Sequence, residues 1–248
     1  MNHPVTVVTG GSRGIGAAIS TRLAKDGHHI ALGYHSDADA AEKVAAEIRA
    51  AGTACVTVRM DTADEADVDR LFETAAGELG PVTGLVNNAG IGAPVGPLAE
   101  ADATAMRRAL DVNVLGYLLC ARRAVRDMTR NGTGTATGGG IVNISSAAAT
   151  LGAPGEYVHY AAAKGAVDTM TIGLAKEVAA HGIRVNAVAP GVIWTEFHAD
   201  PQRPAKQAAG IPLGRSGQPE EIAAAVAWLL SDEASYATGT ILRVAGGR

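Results

Sequence analysis

Short apolar runs alternate with longer stretches of helical periodicity along the whole chain. The apolar runs predict strands at residues 5–8, 30–34, 54–60, 84–86, 141–144, 184–188 and 241–244. The helical patterns predict helices at residues 15–25, 37–50, 64–79, 102–130, 157–181 and 219–231. This alternation predicts an α/β fold with a doubly wound, mostly parallel, seven-stranded sheet. Ligands of such sheets bind at the carboxyl ends of the strands.

Two segments lack regular periodicity. Residues 192–217 are interrupted by Pro201, Pro204 and Pro212, and a long irregular segment in a compact domain is usually functional. We therefore expect a mobile substrate lid there. Residues 131–140 form a low-complexity stretch that we interpret as a surface connector. No internal repeat or linker is evident, so residues 1–248 are expected to form a single domain that binds a dinucleotide and carries the catalytic residues.

Composition narrows the functional classes. Hydrophobic residues make up 47% of the chain and charged residues 19%, as in globular proteins. The net charge of −4 without a basic cluster argues against nucleic acid as a partner. No apolar stretch is long enough to span a membrane and no signal peptide is visible, so we expect a cytoplasmic protein. Cys55 and Cys120 lie in apolar contexts without metal-ligand spacing and are expected to be buried reduced thiols.

The first strand runs into a glycine-rich loop that opens a helix. Its spacing is Gly-x-x-x-Gly-x-Gly, at Gly10, Gly14 and Gly16. Glycines allow close approach of the backbone to a pyrophosphate, and a helix N-terminus supplies free N–H groups and a positive dipole end. An ordinary tight turn is the alternative, but the strand and helix on either side favour dinucleotide binding.

The end of the second strand carries no acidic residue. NAD-binding versions of this fold place an acid there to bind the ribose 2′-OH. Here Tyr34 is followed by His35 and Ser36, and Asp37 is interpreted as a helix N-cap.

Tyr160 and Lys164 lie four residues apart on one predicted helix, so their side chains share a face. An ammonium beside a phenol favours the phenolate and lowers its pKa, which would make Tyr160 a usable acid or base. Tyr157 has no such lysine and is the weaker candidate. The alternative is a half-buried tyrosine beside a solvated lysine.

Asn113 lies inside an apolar helical stretch, where a buried amide needs hydrogen-bond partners. It is either a locally satisfied core residue or a link in a site.

The motifs, in this order, resemble those of the short-chain dehydrogenase/reductase family over essentially the whole chain. They are Thr9-Gly10-x-x-x-Gly14-x-Gly16, Asp61, Asn87-Asn88-Ala89-Gly90, Asn113, Ser146, Tyr160-x-x-x-Lys164 and Pro190-Gly191 with Thr195. The chain is most similar to the bacterial branch that contains enzymes like glucose dehydrogenase and 3-oxoacyl-carrier-protein reductase. The resemblance implies a Rossmann-type fold and a carbonyl–alcohol oxidoreductase.

The resemblance also implies roles for individual residues. Tyr160 is the general acid/base, Lys164 lowers its pKa and holds the nicotinamide ribose, Ser146 bonds the substrate oxygen, and Asn113 anchors a water in a proton relay. Ser145 is the alternative to Ser146. The implied cofactor-binding residues are Gly10, Ser12, Arg13, Gly14, Ile15, Gly16, His35, Ser36, Asp61, Thr62, Asn88, Ala89, Gly90, Tyr160, Lys164, Pro190, Gly191, Ile193 and Thr195.

Three further expectations concern the cofactor, the partners and an alternative function. The missing acid after the second strand and the presence of Arg13 favour NADP(H), with NAD(H) possible. Broad apolar faces on the helices at 102–130 and 157–181 favour burial against another subunit, and family members commonly form homotetramers. The substrate would be a small carbonyl or alcohol. A dinucleotide-binding sensor or scaffold on the same fold is the alternative function.

Overall fold

A computed structural model describes residues 3–92, 95–130, 138–197 and 199–248. In these ranges seven strands form one sheet, and every strand pairs in parallel with its neighbours. The predicted fold is confirmed, and the sheet is parallel throughout. The strands are β1 (Val5–Thr9), β2 (His29–Tyr34), β3 (Cys55–Arg59), β4 (Val82–Asn87), β5 (Gly140–Ile144), β6 (Arg184–Pro190) and β7 (Ile241–Val244).

The order of the strands creates the binding crevice. They follow one another across the sheet as β3-β2-β1-β4-β5-β6-β7, so the direction of winding reverses between β1 and β4. A crevice opens outside the carboxyl ends of the strands at such a switch point. The glycine loop follows β1 and residues 88–90 follow β4, so both lie at this crevice.

Helices cover both faces of the sheet. They are α1 (Gly14–Lys25), α2 (Ala38–Ala50), α3 (Glu65–Glu78), α4 (Ala103–Leu110), α5 (Gly116–Arg130), α6 (Ala148–Leu151), α7 (Val158–Val178), α8 (Arg203–Gln207) and α9 (Pro219–Leu230). Asp37 caps α2 by accepting a hydrogen bond from the Ala40 N–H at 2.9 Å, as predicted.

The predicted helix at 102–130 differs from the observed one. A π-helical turn, Asp111–Leu115, separates α4 from α5. Such turns often occur at functional sites, and this one carries the buried Asn113. Apolar periodicity does not reveal an extra residue in one turn, because helical φ/ψ values continue from α4 through the turn into α5.

The core consists of two layers that follow the period-2 alternation of the strands. Val7 and Leu85 face α3, α5 and α7, whereas the next residues, Val8 and Val86, face α1, α2 and α9. Both cysteines are buried, as predicted, in opposite layers. Burial raises the pKa of each thiol to about 12.

The irregular segment at 192–217 contains α8 followed by a 3₁₀ turn, Ala208–Gly210. The short α6 after β5 and a 3₁₀ turn at Leu98–Glu100 were not predicted. The predicted connector at 131–140 lies outside the described residues except for its last three. Among the residues that the structure describes, no helix combines the length and the apolar character needed to cross a bilayer.

Candidate active site

A cleft of about 520 Å³ lies at the carboxyl ends of the strands and extends from the glycine loop to α7. Every cofactor residue predicted from the sequence lines it, and so does Ser146. Asn113 lies behind its wall. The predicted residues in the lining are Gly10, Ser12, Arg13, Gly14, Ile15, Gly16, His35, Ser36, Asp61, Thr62, Asn88, Ala89, Gly90, Ser146, Tyr160, Lys164, Pro190, Gly191, Ile193 and Thr195.

The glycine loop is held tightly against the loop after β4. The Asn88 side chain donates hydrogen bonds to the carbonyls of Thr9 and Gly10, both at 3.0 Å. A Cβ on Gly16 would lie 2.1 Å from the Gly10 carbonyl oxygen, and Gly10 has a φ of 62°. Both positions therefore require glycine. The loop leads into the N-terminus of α1, where Arg13 at the N-cap makes no capping bond with its side chain. This cradle fits a pyrophosphate.

Arg108 contributes to the far end of the cleft and was missed by sequence reasoning. Its guanidinium donates a 2.6 Å hydrogen bond to the Asp61 carboxylate. Burial acts to raise the pKa of Asp61, but the Ala63 N–H and Arg108 together lower it. Asp61 is thus fixed as a carboxylate at the position where the resemblance places the adenine.

Arg13 lies among acidic side chains at the edge of the cleft. Its guanidinium is 3.9 Å from the carboxylates of both Asp37 and Glu196, and its side chain is 55% exposed. Pairs this exposed and this long contribute little binding energy. Arg13 is therefore held near the cleft but remains available to a stronger anionic partner.

Tyr160 stands in an aromatic wall of the cleft. Its ring packs edge-on against Tyr157, with 5.4 Å between the ring centroids, and lies 5.9 Å from the ring of Phe197. Tyr160 and Ser146 both line the cleft, and the Ser146 side chain acts to lower the pKa of the Tyr160 phenol. Ser146 also accepts a hydrogen bond from the Ala148 N–H at 3.1 Å. Two side chains that carry hydroxyl groups are therefore neighbours in the lining of the cleft.

Ser145 and Ser146 have different partners. The Ser145 hydroxyl donates to the carboxylate of Asp168 and is buried. This geometry favours Ser146 as the serine that faces a ligand beside Tyr160.

Lys164 is only 2% exposed. Its ammonium donates hydrogen bonds to the Tyr117 hydroxyl at 3.0 Å and to the Ile144 carbonyl at 2.8 Å. It lies 5.7 Å from the centroid of the Tyr160 ring. Burial lowers the pKa of Lys164 to about 7, and the charge of Asp168 partly offsets this. Lys164 is therefore buried and hydrogen-bonded within the protein, so the alternative of a solvated lysine was wrong.

The pKa of Tyr160 is shifted in the direction opposite to the one predicted. Burial raises it, and the Ser146 side chain opposes the rise only in part. The prediction that Lys164 lowers the pKa of Tyr160 was therefore wrong for the side chains of the protein alone. Burial disfavours the charged phenolate of Tyr160. Burial also lowers the pKa of Lys164, which weakens the positive charge that should stabilise the phenolate. The raised pKa favours the protonated form of Tyr160.

Asn113 is a fully buried member of the π turn. Its amide nitrogen donates to the Ile91 carbonyl at 2.9 Å, and its amide oxygen accepts from the Ile91 N–H at 3.2 Å. Ile91 lines the cleft. The Asn113 side chain thus holds the loop after β4 in place from outside the cleft. Its role as a water anchor stays a prediction.

Several residues near the site were missed, and two of them had a sequence signal. Asp168 follows Lys164 by four residues and Tyr117 follows Asn113 by four, so each continues a helical face that was already noted. Arg203 lines the cleft from α8 and carried no such signal.

Comparisons with known proteins agree with this geometry. A family model described as enoyl-(acyl carrier protein) reductase matches residues 10–248. The uncharacterized oxidoreductase YgfF of Escherichia coli (strain K12) is 47% identical over 247 residues, which cover 98% of this chain and 99% of that protein.

Two solved structures are similar over almost their whole length. A short-chain dehydrogenase/reductase from Serratia marcescens has a TM-score of 0.90 at 36% identity, covering 98% of this chain and 97% of that one. A blue fluorescent protein from a metagenomic library, crystallised in complex with NADPH, has a TM-score of 0.91 at 39% identity, covering 99% of this chain and 98% of that one.

Proposed function

The chain belongs to the short-chain dehydrogenase/reductase family, and we propose that it is an NADP(H)-dependent enzyme that interconverts a carbonyl and a secondary alcohol. Oxidoreductase activity on CH–OH groups is what its relatives are named for. The observation that carries the proposal is the presence of Ser146 and Tyr160 together in the lining of the cleft, with the buried Lys164 one helical turn beyond Tyr160. Two donors and a nearby positive charge suit a developing alkoxide.

The residues of the cleft fit a nicotinamide dinucleotide. The glycine cradle would hold the pyrophosphate, Asn88 to Gly90 the adenosine ribose, and Asp61 with Thr62 the adenine. Lys164 and Tyr160 would hold the nicotinamide ribose, and the carboxamide end would lie against Pro190, Gly191, Ile193 and Thr195. When bound, the cofactor supplies the hydride donor or acceptor.

The protein's own groups move the proton. In reduction, Tyr160 gives its proton to the substrate oxygen while Ser146 donates a hydrogen bond to the same atom. A phenol is protonated at neutral pH, and the burial that raises the pKa of Tyr160 further favours this form. In oxidation Tyr160 takes the proton, and a charged Lys164 is needed to stabilise the phenolate.

Asn113 is proposed to anchor a water that passes protons by way of Lys164. Its amide oxygen accepts one hydrogen bond from Ile91 and retains a second lone pair. That lone pair is the acceptor that a relay water would use.

A dinucleotide-binding sensor would need the cofactor cradle but not the arrangement of Ser146, Tyr160 and Lys164. A screen of ketones, sugars and acyl thioesters, followed by the absorbance of the reduced cofactor, tests the enzyme directly. Turnover of at least one carbonyl class is expected. Tight cofactor binding with no turnover across a wide panel would favour the sensor.

Residues 192–217 are proposed to act as a substrate lid, and Arg203 is the residue that links them to α7. Its guanidinium donates to the Glu156 carboxylate at 2.6 Å and to the Tyr157 hydroxyl at 2.9 Å. Glu156 and Tyr157 immediately precede the helix that carries Tyr160. The position of the lid is therefore coupled to the wall of the substrate site.

Replacing Arg203 tests the lid. Arg203→Ala removes the link between α8 and Glu156, so we expect the KM for the carbonyl substrate to rise about tenfold with a smaller change in the KM for the cofactor. Steady-state kinetics with each reactant varied in turn measure both. Lys206→Ala is the matched control, because Lys206 lies on the same helix and, among the described residues, forms an ion pair only with the exposed Asp200. Equal effects of the two substitutions would contradict the lid.

The enzyme is proposed to be a homotetramer. Large apolar side chains are exposed on the helices of one side of the sheet, among them Leu110, Leu115, Leu118 and Ile172. With a protomer mass of 25.1 kDa, light scattering should give a fourfold mass of about 100 kDa.

Leu118→Lys on α5 should lower the measured mass, whereas Ala46→Lys, exposed on α2 across the sheet, should not. A mass near 25 kDa for the unmodified protein at micromolar concentration would refute the assembly. The buried free thiols suit a reducing compartment, and we propose the cytoplasm.

A further inference from the structure

Tyr117 makes a buried contact with the lysine of the site. It lies at the start of α5, just after the π turn, and is 1% exposed. Its hydroxyl donates a 3.1 Å hydrogen bond to the Ile144 carbonyl and accepts a 3.0 Å hydrogen bond from the Lys164 ammonium. The ammonium donates to the same carbonyl at 2.8 Å. The three groups form a closed triangle behind the cleft.

The ring of Tyr117 also faces the ammonium. Lys164 Nζ lies 4.6 Å from the centroid of the ring, within the range of a cation–π contact. A single side chain therefore offers Lys164 both an oxygen acceptor and an aromatic face. Because a buried ammonium is costly unless it is hydrogen-bonded, both contacts favour its charged form.

Among the described residues, no other side chain accepts a hydrogen bond from the Lys164 ammonium. Asp168 on α7 is the nearby negative charge, but its carboxylate accepts the Ser145 hydroxyl and is also close to Arg243. Tyr160 presents its ring to the ammonium at 5.7 Å, which is farther than that of Tyr117. Ile144 supplies a backbone carbonyl from β5.

We propose that Tyr117 is a positioning residue of this enzyme: it fixes the Lys164 ammonium against the end of β5 and keeps it charged beside Tyr160. The proposal rests on the proposed function, since it assigns Lys164 a role in the chemistry of Tyr160. The π turn gives it a structural basis. Tyr117 lies two residues after that turn and contacts Lys164, whereas Asn113 within the turn is hydrogen-bonded to Ile91.

Tyr117→Phe keeps the ring and removes the acceptor. We expect kcat/KM for carbonyl reduction to fall about tenfold. The loss of an acceptor disfavours the charged lysine and lowers its pKa. The charged form exists below that pKa and disappears above it, so the high-pH limb of the kcat/KM profile should move to lower pH by about one unit. The profile is measured at saturating cofactor.

Cys120→Ala is the matched control. Cys120 is a fully buried residue on the same helix whose substitution alters packing without removing an acceptor from Lys164. Its pH profile should coincide with that of the unmodified protein. A Tyr117→Phe variant that loses activity and thermal stability but keeps the original pH limb would show that Tyr117 is only a packing residue. A variant with unchanged kinetics would equally overturn the proposal.

A second measurement does not depend on turnover. The ¹³Cε signal of Lys164 in lysine-labelled protein, assigned by its loss in Lys164→Arg, reports the titration of the ammonium directly. Its midpoint should be lower in Tyr117→Phe. An unchanged midpoint would overturn the proposal even if no substrate is found. A lowered midpoint without any turnover would support the role of Tyr117 and contradict the proposed function alone.

Discussion

Tyr160→Phe is expected to lower the turnover number at least about a hundredfold, because general acid–base catalysis of this kind contributes that much or more. The substitution removes one hydroxyl and leaves the ring between Tyr157 and Phe197. The proton for the substrate oxygen disappears with that hydroxyl. Tyr160 is one of many residues proposed to hold the cofactor, and the glycine cradle and Lys164 are unchanged, so the affinity for the cofactor should be largely preserved.

Steady-state kinetics and a fluorescence titration with reduced cofactor measure the two quantities separately. Tyr157→Phe is the matched control, since it removes the other phenolic hydroxyl of the same wall. That hydroxyl accepts a hydrogen bond from Arg203, so its loss should change mainly the KM for the substrate. A Tyr160→Phe variant that retains most of its turnover number, or a Tyr157→Phe variant with the larger loss of kcat, would refute the assignment.

The fold was predictable because its signals are local. Each apolar run has the length and the composition of a buried strand, and Asp37 caps its helix through an atom three residues away. The glycine loop was predictable for the same reason. Gly10 needs a positive φ and Gly16 has no room for a Cβ. Each requirement can be read from the sequence, because each position is a glycine.

The supporting contacts of the site were not predictable from local pattern. Arg108 binds Asp61 across 47 residues, and Tyr117 meets Lys164 across the same separation. The direction of the Tyr160 pKa was missed for a related reason. The spacing of Tyr160 and Lys164 shows that they share a helical face, but not that the face is buried deeply enough for desolvation to exceed the effect of a neighbouring charge.

Cofactor choice is the second prediction with a large effect, and it centres on Arg13. We expect the enzyme to use NADPH more efficiently than NADH. A carboxylate directly after β2 would repel a 2′-phosphate, and this position holds His35 and Ser36 instead. The guanidinium of Arg13 lies 3.9 Å from Asp37 and from Glu196. Both ion pairs are long and exposed, so a dianionic phosphate that accepts two hydrogen bonds should displace them.

Arg13→Ala should reduce the affinity for NADPH roughly ten- to a hundredfold, because a charge-assisted hydrogen bond contributes about 1.5–3 kcal/mol. The affinity for NADH, which has no 2′-phosphate, should change little. Asp37→Asn should act in the opposite direction. It removes a competing charge next to Arg13, and asparagine can still cap α2.

The test compares kcat/KM with NADPH and with NADH for each variant. Arg22→Ala is the control, because Arg22 is an exposed arginine on α1 that pairs with Asp26 away from the cleft. It removes the same charge from the same helix and should leave the preference unchanged. Equal or better use of NADH by the unmodified protein would show that the phosphate is not recognised in this way. So would an Arg13→Ala variant that keeps the original ratio, since the guanidinium would then be a solvated charge at the edge of the cleft.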